Sequence, residues 1–121
     1  MAVSRMRRIN EVLREVVGAA ISSDLSDPRI GFVTVTSVET SPDLRTAKVF
    51  VSVLGDEEER EATLAALRSS HGVIQSRIAA ETRMKRTPTL SFRYDETVEQ
   101  GVRISHLLEE EQPPTPNQVE E

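Results

Sequence analysis

Residues 64–78 read LAALRSSHGVIQSRI, and this segment is the most informative part of the sequence about the fold. Its apolar residues are three or four positions apart, which places them on one face of a helix. The segment Ser70-His71-Gly72 interrupts that face, and glycine weakens a helix interior by about 1 kcal/mol relative to alanine. The pattern predicts two helical segments that meet at a kink. The kink either lets the helix follow its core or helps to form a surface for a polyanion.

The charges of the chain are segregated along the sequence, although the formal net charge is −5. Residues 109–121 hold five acids and no base, and residues 56–61 hold five acids and one arginine. Residues 62–94 instead hold six bases against the single acid Glu81. This distribution predicts one basic face and an acidic remainder.

Length and composition set the outer limits. A chain of 121 residues suffices for one domain with one core. Cysteine is absent, which excludes disulfides and thiolate chemistry. No stretch approaches the roughly 20 apolar residues of a membrane-spanning helix, and the N-terminus lacks the apolar region of a signal peptide. We therefore expect a single-domain cytoplasmic protein without a membrane partner.

The elements before the kink follow from apolar periodicity and turn residues. Residues 4–24 carry a helical apolar stripe that Asp27-Pro28 brings to an end. Residues 32–39 are rich in Val and Thr, which favours a strand. Ser41-Pro42-Asp43 is typical of a turn, and residues 44–54 alternate valines with other residues. These two strands are predicted to form an antiparallel hairpin.

The second helix is predicted to begin at Gly55-Asp56, with acids in its first turn as the helix dipole favours. The third helix should run to about Met84, and residues 89–94 should form the third strand. The prediction is an α+β domain over residues 1–108, in the order α-β-β-α-kink-α-β. Its helices cover one face of a three-stranded sheet. Residues 109–121 are predicted to be a disordered, acidic, proline-rich tail that either solubilises the protein or competes with RNA for the basic face.

The candidate binding residues are cations on both sides of the kink, because Arg and Lys form charge-assisted contacts with phosphate. Any one of these cations could equally well be an ordinary solvent-exposed residue. As a cluster, however, they have few acidic residues near them in sequence to neutralise their charge. The cations are Arg77, Arg83, Lys85 and Arg86 beyond the kink, and Arg5, Arg7 and Arg8 at the adjoining end of the first helix.

An enzyme is the main alternative, because His71 and His106 are imidazoles and Asp24 and Asp27 are neighbouring carboxylates. His71 lies on the apolar stripe, however, and no phosphate loop, nucleophile elbow or metal-ligand spacing is present. We predict no catalytic residue, no cofactor, no metal site and no small-molecule substrate. A second alternative is a protein-interaction module that uses the exposed sheet face around Phe50.

The element order, with a glycine where the second and third helices meet, resembles a type II KH domain. Ser70-His71-Gly72 replaces the usual Gly-x-x-Gly loop, and the sequence is similar to the KH-like ribosome-binding factor A family, which has an Ala-x-Gly kink. The resemblance covers residues 5–108. It is carried by residues 27–31 (DPRIG), 38–44 (VETSPDL), 47–51 (AKVFV), 72–76 (GVIQS) and 84–95 (MKRTPTLSFRYD).

This resemblance implies a function that composition and spacing do not provide. A member of the family is expected to bind the free 30S ribosomal subunit and its 16S rRNA. It should assist maturation of the small subunit, including 5′-end processing of the 16S precursor, above all in the cold. Nothing in the sequence requires a dimer, so a monomer is expected. The alternative is a generic KH-like RNA-binding or protein-interaction module that is not tied to the ribosome.

Overall fold

The computed structural model describes residues 2–97, with side chains from Arg5 onwards. The order of elements is the predicted one, with three helices and three strands. The predicted domain limit at residue 108, the tail 109–121 and His106 lie outside the described residues. The elements are α1 (Ala2–Ser23), β1 (Val33–Thr40), β2 (Thr46–Val53), α2 (Glu57–Ser69), α3 (His71–Glu81) and β3 (Thr89–Tyr94).

The sheet has the order β1-β2-β3. β1 and β2 form the predicted antiparallel hairpin, with a bulge between Val35 and Ser37. β3 pairs parallel to β2, a pairing that the sequence analysis did not predict, and it forms an edge of the sheet. The sheet therefore has two distinct ends. The loop 41–45 and the starts of β2 and β3 lie at the turn end, whereas β2 and β3 finish at the opposite end.

The helices cover one face of the sheet, as predicted, and the core lies between them. α1 runs antiparallel to β1, because Asn10 in its first half accepts a hydrogen bond from the Thr40 backbone N–H (3.0 Å) at the turn end. Ile21 near its end lines the same hollow as Val33 at the opposite end. The core is built from the apolar face of α1, the inward residues of the three strands, which include Leu90 and Phe92 of β3, and four residues of α2 and α3. These four are Leu64, Leu67, Ile74 and Ile78.

The connection from β2 to α2 explains the acid-rich run without any binding role. Gly55 has φ +140°, and a Cβ there would lie 2.8 Å from the Glu59 carboxylate, so this turn requires glycine. Asp56 accepts a hydrogen bond from the Glu59 backbone N–H (2.8 Å), and Glu59 accepts one from the Asp56 N–H (3.0 Å). This capping box begins α2 at the place predicted from the sequence.

α3 ends at Glu81, three residues before the predicted limit at Met84. Thr82 has extended backbone angles (φ −121°, ψ 165°), and both its N–H and its hydroxyl donate to the Ile78 carbonyl. The prediction was wrong here because apolar periodicity does not detect a threonine that closes the last turn. Residues 82–88 therefore form a connecting segment to β3.

Candidate RNA interface

The kink is a bend at one residue, Ser70. Its N–H donates to the carbonyls of Ala66 (3.0 Å) and Leu67 (3.1 Å), which completes α2, while its own carbonyl accepts the N–H of Val73 (3.1 Å) to begin α3. Gly72 lies in the first turn of α3, where an added Cβ would meet nothing within 4 Å. The break thus lies in the predicted segment, but the backbone freedom of glycine does not cause it.

Two side chains of α3 attach this kink to the edge strand. The His71 Nε2 atom accepts a hydrogen bond from the Leu90 backbone N–H at 3.1 Å. Gln75 Nε2 donates to the Pro88 carbonyl at 2.7 Å. Since Leu90 pairs with Ala47 near the start of β2, these contacts place the beginning of α3 at the turn end of the sheet. His71 is therefore a junction residue between the kink and β3.

Arg77 has ion-pair partners on two elements. Its Nη1 atom lies 2.9 and 3.0 Å from the two Asp24 carboxylate oxygens, just past α1, and its Nε atom pairs with Glu81. Asp24 is the stronger and Glu81 the weaker cause of the raised pKa of the Arg77 guanidinium. Only 27% of the Arg77 side chain is exposed. In the structure Arg77 therefore joins the end of α1 to α3. The sequence analysis had instead placed it as a free cation at the centre of the RNA-binding surface.

The other predicted cations are exposed and available. Within residues 5–97 no carboxylate lies within ion-pairing distance of any of them. They belong to two segments, the first turns of α1 and the connection between α3 and β3. These exposed cations are Arg5, Arg7, Arg8, Arg83, Lys85 and Arg86.

The topology brings both segments to the turn end and adds a cation that the sequence analysis missed. Arg7 lines the same recess as Pro42 in the hairpin loop. The Thr89 N–H donates to the Arg45 carbonyl (2.9 Å), so the start of β3 lies beside the same loop. The Arg45 side chain is 67% exposed, and its ion pair among the described residues is a 3.9 Å contact to Asp43. We name this surface the basic end and define it as Arg5, Arg7, Arg8, Arg45, Lys85 and Arg86.

The opposite end of the sheet is acidic. The capping box places the start of α2 directly after β2, and the Asp95 N–H donates to the Val51 carbonyl (2.8 Å) where β3 finishes. An eight-residue strand spans about 25 Å, about three Debye lengths at physiological ionic strength. A polyanion at the basic end is therefore screened from these acids. We name this surface the acidic end and define it as Asp56, Glu57, Glu58, Glu59, Asp95 and Glu96.

An open groove of about 820 Å³ runs between α2 and the free edge of β3. Arg68 reaches across it and donates to the Phe92 carbonyl at 3.1 Å. Half-buried Phe50 and exposed Arg93 also line the groove, but so do Glu61 and Glu96. Because its charges are mixed, the groove has no net attraction for phosphate comparable with that of the basic end.

The residues considered for catalysis that lie within residues 2–97 are engaged in structural hydrogen bonds and ion pairs. Asp24 pairs with Arg77, and His71 accepts the Leu90 N–H. The Arg29 side chain, and then its backbone N–H, lower the pKa of Asp27 to about 2 by hydrogen bonding to its carboxylate. Among residues 2–97 no three His, Cys, Asp or Glu side chains are arranged to hold a metal. Nor does this part of the chain contain a helix with the length and apolarity needed to cross a membrane.

Comparison with known proteins places these features in a family. The family model described as ribosome-binding factor A matches residues 5–108. A curated relative, ribosome-binding factor A of Halothermothrix orenii, is 46% identical over 108 residues, which are 89% of this chain and 88% of the relative.

Solved structures give the same result. The crystal structure of ribosome-binding factor A from Thermus thermophilus matches with a TM-score of 0.66 at 28% identity, over 74% of this chain and 94% of that one. A homology model of the Thermus thermophilus factor, fitted into a cryo-EM map of a 30S–RbfA complex, matches with a TM-score of 0.60 at 29% identity. That match covers 72% of this chain and 91% of that one. The resemblance inferred from the sequence is confirmed: this chain belongs to the ribosome-binding factor A family.

Proposed function

We propose that this chain binds the free 30S ribosomal subunit through its 16S rRNA and assists maturation of that subunit. The observation that carries the proposal is the basic end, a set of exposed cations brought together at one end of a domain of this family. The 30S complex into which a relative has been fitted supports the same partner. The generic KH-like module is the weaker alternative, because the family match spans residues 5–108.

The basic end suits phosphate recognition. Its arginines can bind phosphate oxygens bidentately, and no described carboxylate except that of Asp43 competes for them. The first turn of α3 begins at the same end, so the positive end of its dipole adds to the attraction. We include Arg83 as a flanking contact and treat Arg77 as structural. On single-stranded RNA, each phosphate contact should contribute about −0.7 to the slope of log K against log[salt].

The finer part of the proposal concerns what binding accomplishes. We propose that the protein supports 5′-end processing of the 16S rRNA precursor by holding the RNA and leaves cleavage to another enzyme. The occupied contacts of His71, Asp24 and Asp27 support a role without catalysis. The proposal includes action in the cytoplasm as a monomer, importance in cold growth, and no cofactor or small-molecule substrate.

Charge variants test the interface by co-sedimentation with purified free 30S subunits. K85E/R86E should abolish binding, and K85Q/R86Q should reduce the magnitude of the salt slope by about 1.4, as expected for two lost contacts. S22E/S23E is the matched control, since it lowers the net charge as much as K85Q/R86Q at exposed positions near the opposite end. Equal loss of binding in K85Q/R86Q and S22E/S23E would show that only the net charge matters and would overturn the interface.

A further inference from the structure

Two large apolar side chains lie exposed and adjacent where the hairpin opens, at the end opposite the basic end. Phe32 is 80% exposed and Leu54 is 73% exposed. The Leu54 N–H donates to the Phe32 carbonyl at 3.0 Å, just beyond the Val33–Val53 pair. Residues directly opposite in an antiparallel pair project from the same face with Cβ atoms about 5 Å apart. Phe32 and Leu54 therefore lie side by side as one exposed apolar patch at this end of the sheet.

The patch borders the acidic end. Leu54 is followed by Gly55 and then by the capping box that begins α2, so the nearest acid is two residues away. Asp95, at the end of β3, reaches across the sheet to β1, where it accepts a hydrogen bond from the Thr36 hydroxyl at 2.6 Å. Exposed Arg93 lies two residues before Asp95 and donates to the Ser91 hydroxyl at 3.4 Å, and two other arginines near this end are engaged. Arg29 pairs with Asp27, and Arg60 lies over the Tyr94 ring, 4.5 Å from its centroid.

We propose that Phe32 and Leu54, together with the acidic end, form a docking surface for a lysine- and arginine-rich polypeptide segment that carries an apolar side chain. Adjacent exposed apolar residues with a polar rim are typical of protein contacts. The negative rim selects a basic partner and repels both RNA phosphates and anionic lipid headgroups. Basic arms of this kind occur on proteins that bind nucleic acid, so the proposed RNA interface and this surface would face two components of one ribonucleoprotein.

The test uses two fluorescent peptides, one with lysines around a central leucine and one with glycine in place of that leucine. The full chain should bind the leucine peptide more tightly. F32S/L54S should weaken that binding about tenfold, as expected for an apolar side chain that no longer becomes buried. V12S/V73S is the matched control, because it also replaces two exposed apolar residues, and it should leave binding unchanged. E57Q/E58Q should weaken the binding of both peptides and reduce its salt dependence.

Three results would overturn the proposal. The first is equal binding of the two peptides, and the second is F32S/L54S binding like the wild type. The third is self-association: the wild type would associate with itself as its concentration rises in sedimentation velocity, and F32S/L54S would not. That result would show that the patch binds a second copy of the chain.

The proposal is independent of the proposed RNA interface, and the same variants separate the two. F32S/L54S should bind a 16S rRNA fragment as the wild type does but co-sediment less well with intact 30S subunits. K85E/R86E should lose the rRNA fragment yet keep the leucine peptide. Loss of rRNA binding in F32S/L54S would contradict the separation of the two surfaces.

Discussion

His71 and Leu90 are joined by a hydrogen bond of 3.1 Å from the Leu90 backbone N–H to the Nε2 atom of the His71 ring. The bond connects the first residue of α3 to the edge strand, 19 residues further along the chain. Nε2 can accept only when it carries no proton, so the ring proton resides on Nδ1. The angle of the kink is therefore held by a tertiary contact as well as by the bend at Ser70.

Replacing His71 by alanine should destabilise the fold by about 1–3 kcal/mol, because the N–H of buried Leu90 would lose its acceptor. Urea denaturation followed by circular dichroism measures this loss. S69A, an exposed change at the end of the neighbouring helix, is the control and should unfold at nearly the wild-type midpoint. An unchanged free energy of unfolding in H71A would show that this hydrogen bond does not hold the kink.

Gly72→Ala should stabilise the protein by about 1 kcal/mol, because alanine is the better helix former and nothing lies within 4 Å of the added methyl. Gly18→Ala is the matched control, since Gly18 also lies in a helix with open space around it. Both variants should have a higher thermal unfolding midpoint than the wild type. G72A alone should bind 30S subunits several-fold more weakly, because exposed Gly72 lies at the end of the domain where the RNA is proposed to bind, and we expect its added methyl to obstruct an approaching RNA backbone. Wild-type affinity in G72A would exclude the kink from the interface.

Arg77→Gln should lower the thermal unfolding midpoint and leave the salt slope of 30S binding unchanged. The physical reason is that Arg77 joins Asp24 to α3 and is not free to contact phosphate. Reversing the pair in D24R/R77D should recover part of the lost stability, which a merely exposed arginine would not show. A salt slope reduced by about 0.7 in R77Q would instead restore Arg77 to the RNA interface.

Acid should weaken the fold through Asp27. Its pKa falls from the ordinary 3.8 to about 2 in the folded protein because Arg29 donates hydrogen bonds to the carboxylate. The carboxylate therefore stabilises the fold fully above its unfolded pKa, and this contribution is lost as the pH falls from about 3.8 to about 2. As the pH is lowered over this interval, the thermal unfolding midpoint should fall less steeply in D27N than in the wild type. R29Q should flatten the curve in the same way, and a wild-type slope in both variants would contradict the assignment.

Much of the fold is predictable because its strands and helices carry regular apolar periodicity. The alternating valines of β2 correctly predict a strand with one buried face, and the turn residues at 41–43 correctly predict the hairpin. The parallel pairing of β3 with β2 is not predictable in this way, because it depends on how α2 and α3 carry the chain back to the turn end. The early end of α3 depends on the conformation of Thr82, which periodicity does not encode.

The candidate site was less predictable, because tertiary contacts decide which of its charged residues form ion pairs and which lie together on the surface. Arg77 appeared free since its partner Asp24 lies 53 residues away in sequence. Arg45 was overlooked because it joins the other cations only when Thr89 pairs beside it. Phe32 and Leu54 fall within the strands predicted at residues 32–39 and 44–54, yet they lie just outside the observed strands and are exposed.

The decisive measurement for the proposed ribosome binding is co-sedimentation of the purified 121-residue chain with free 30S subunits, 50S subunits and 70S ribosomes at low and high salt. We expect binding confined to free 30S subunits, with affinity that falls steeply as salt rises. Equal binding to all three particles, or 30S binding that salt does not weaken, would contradict it.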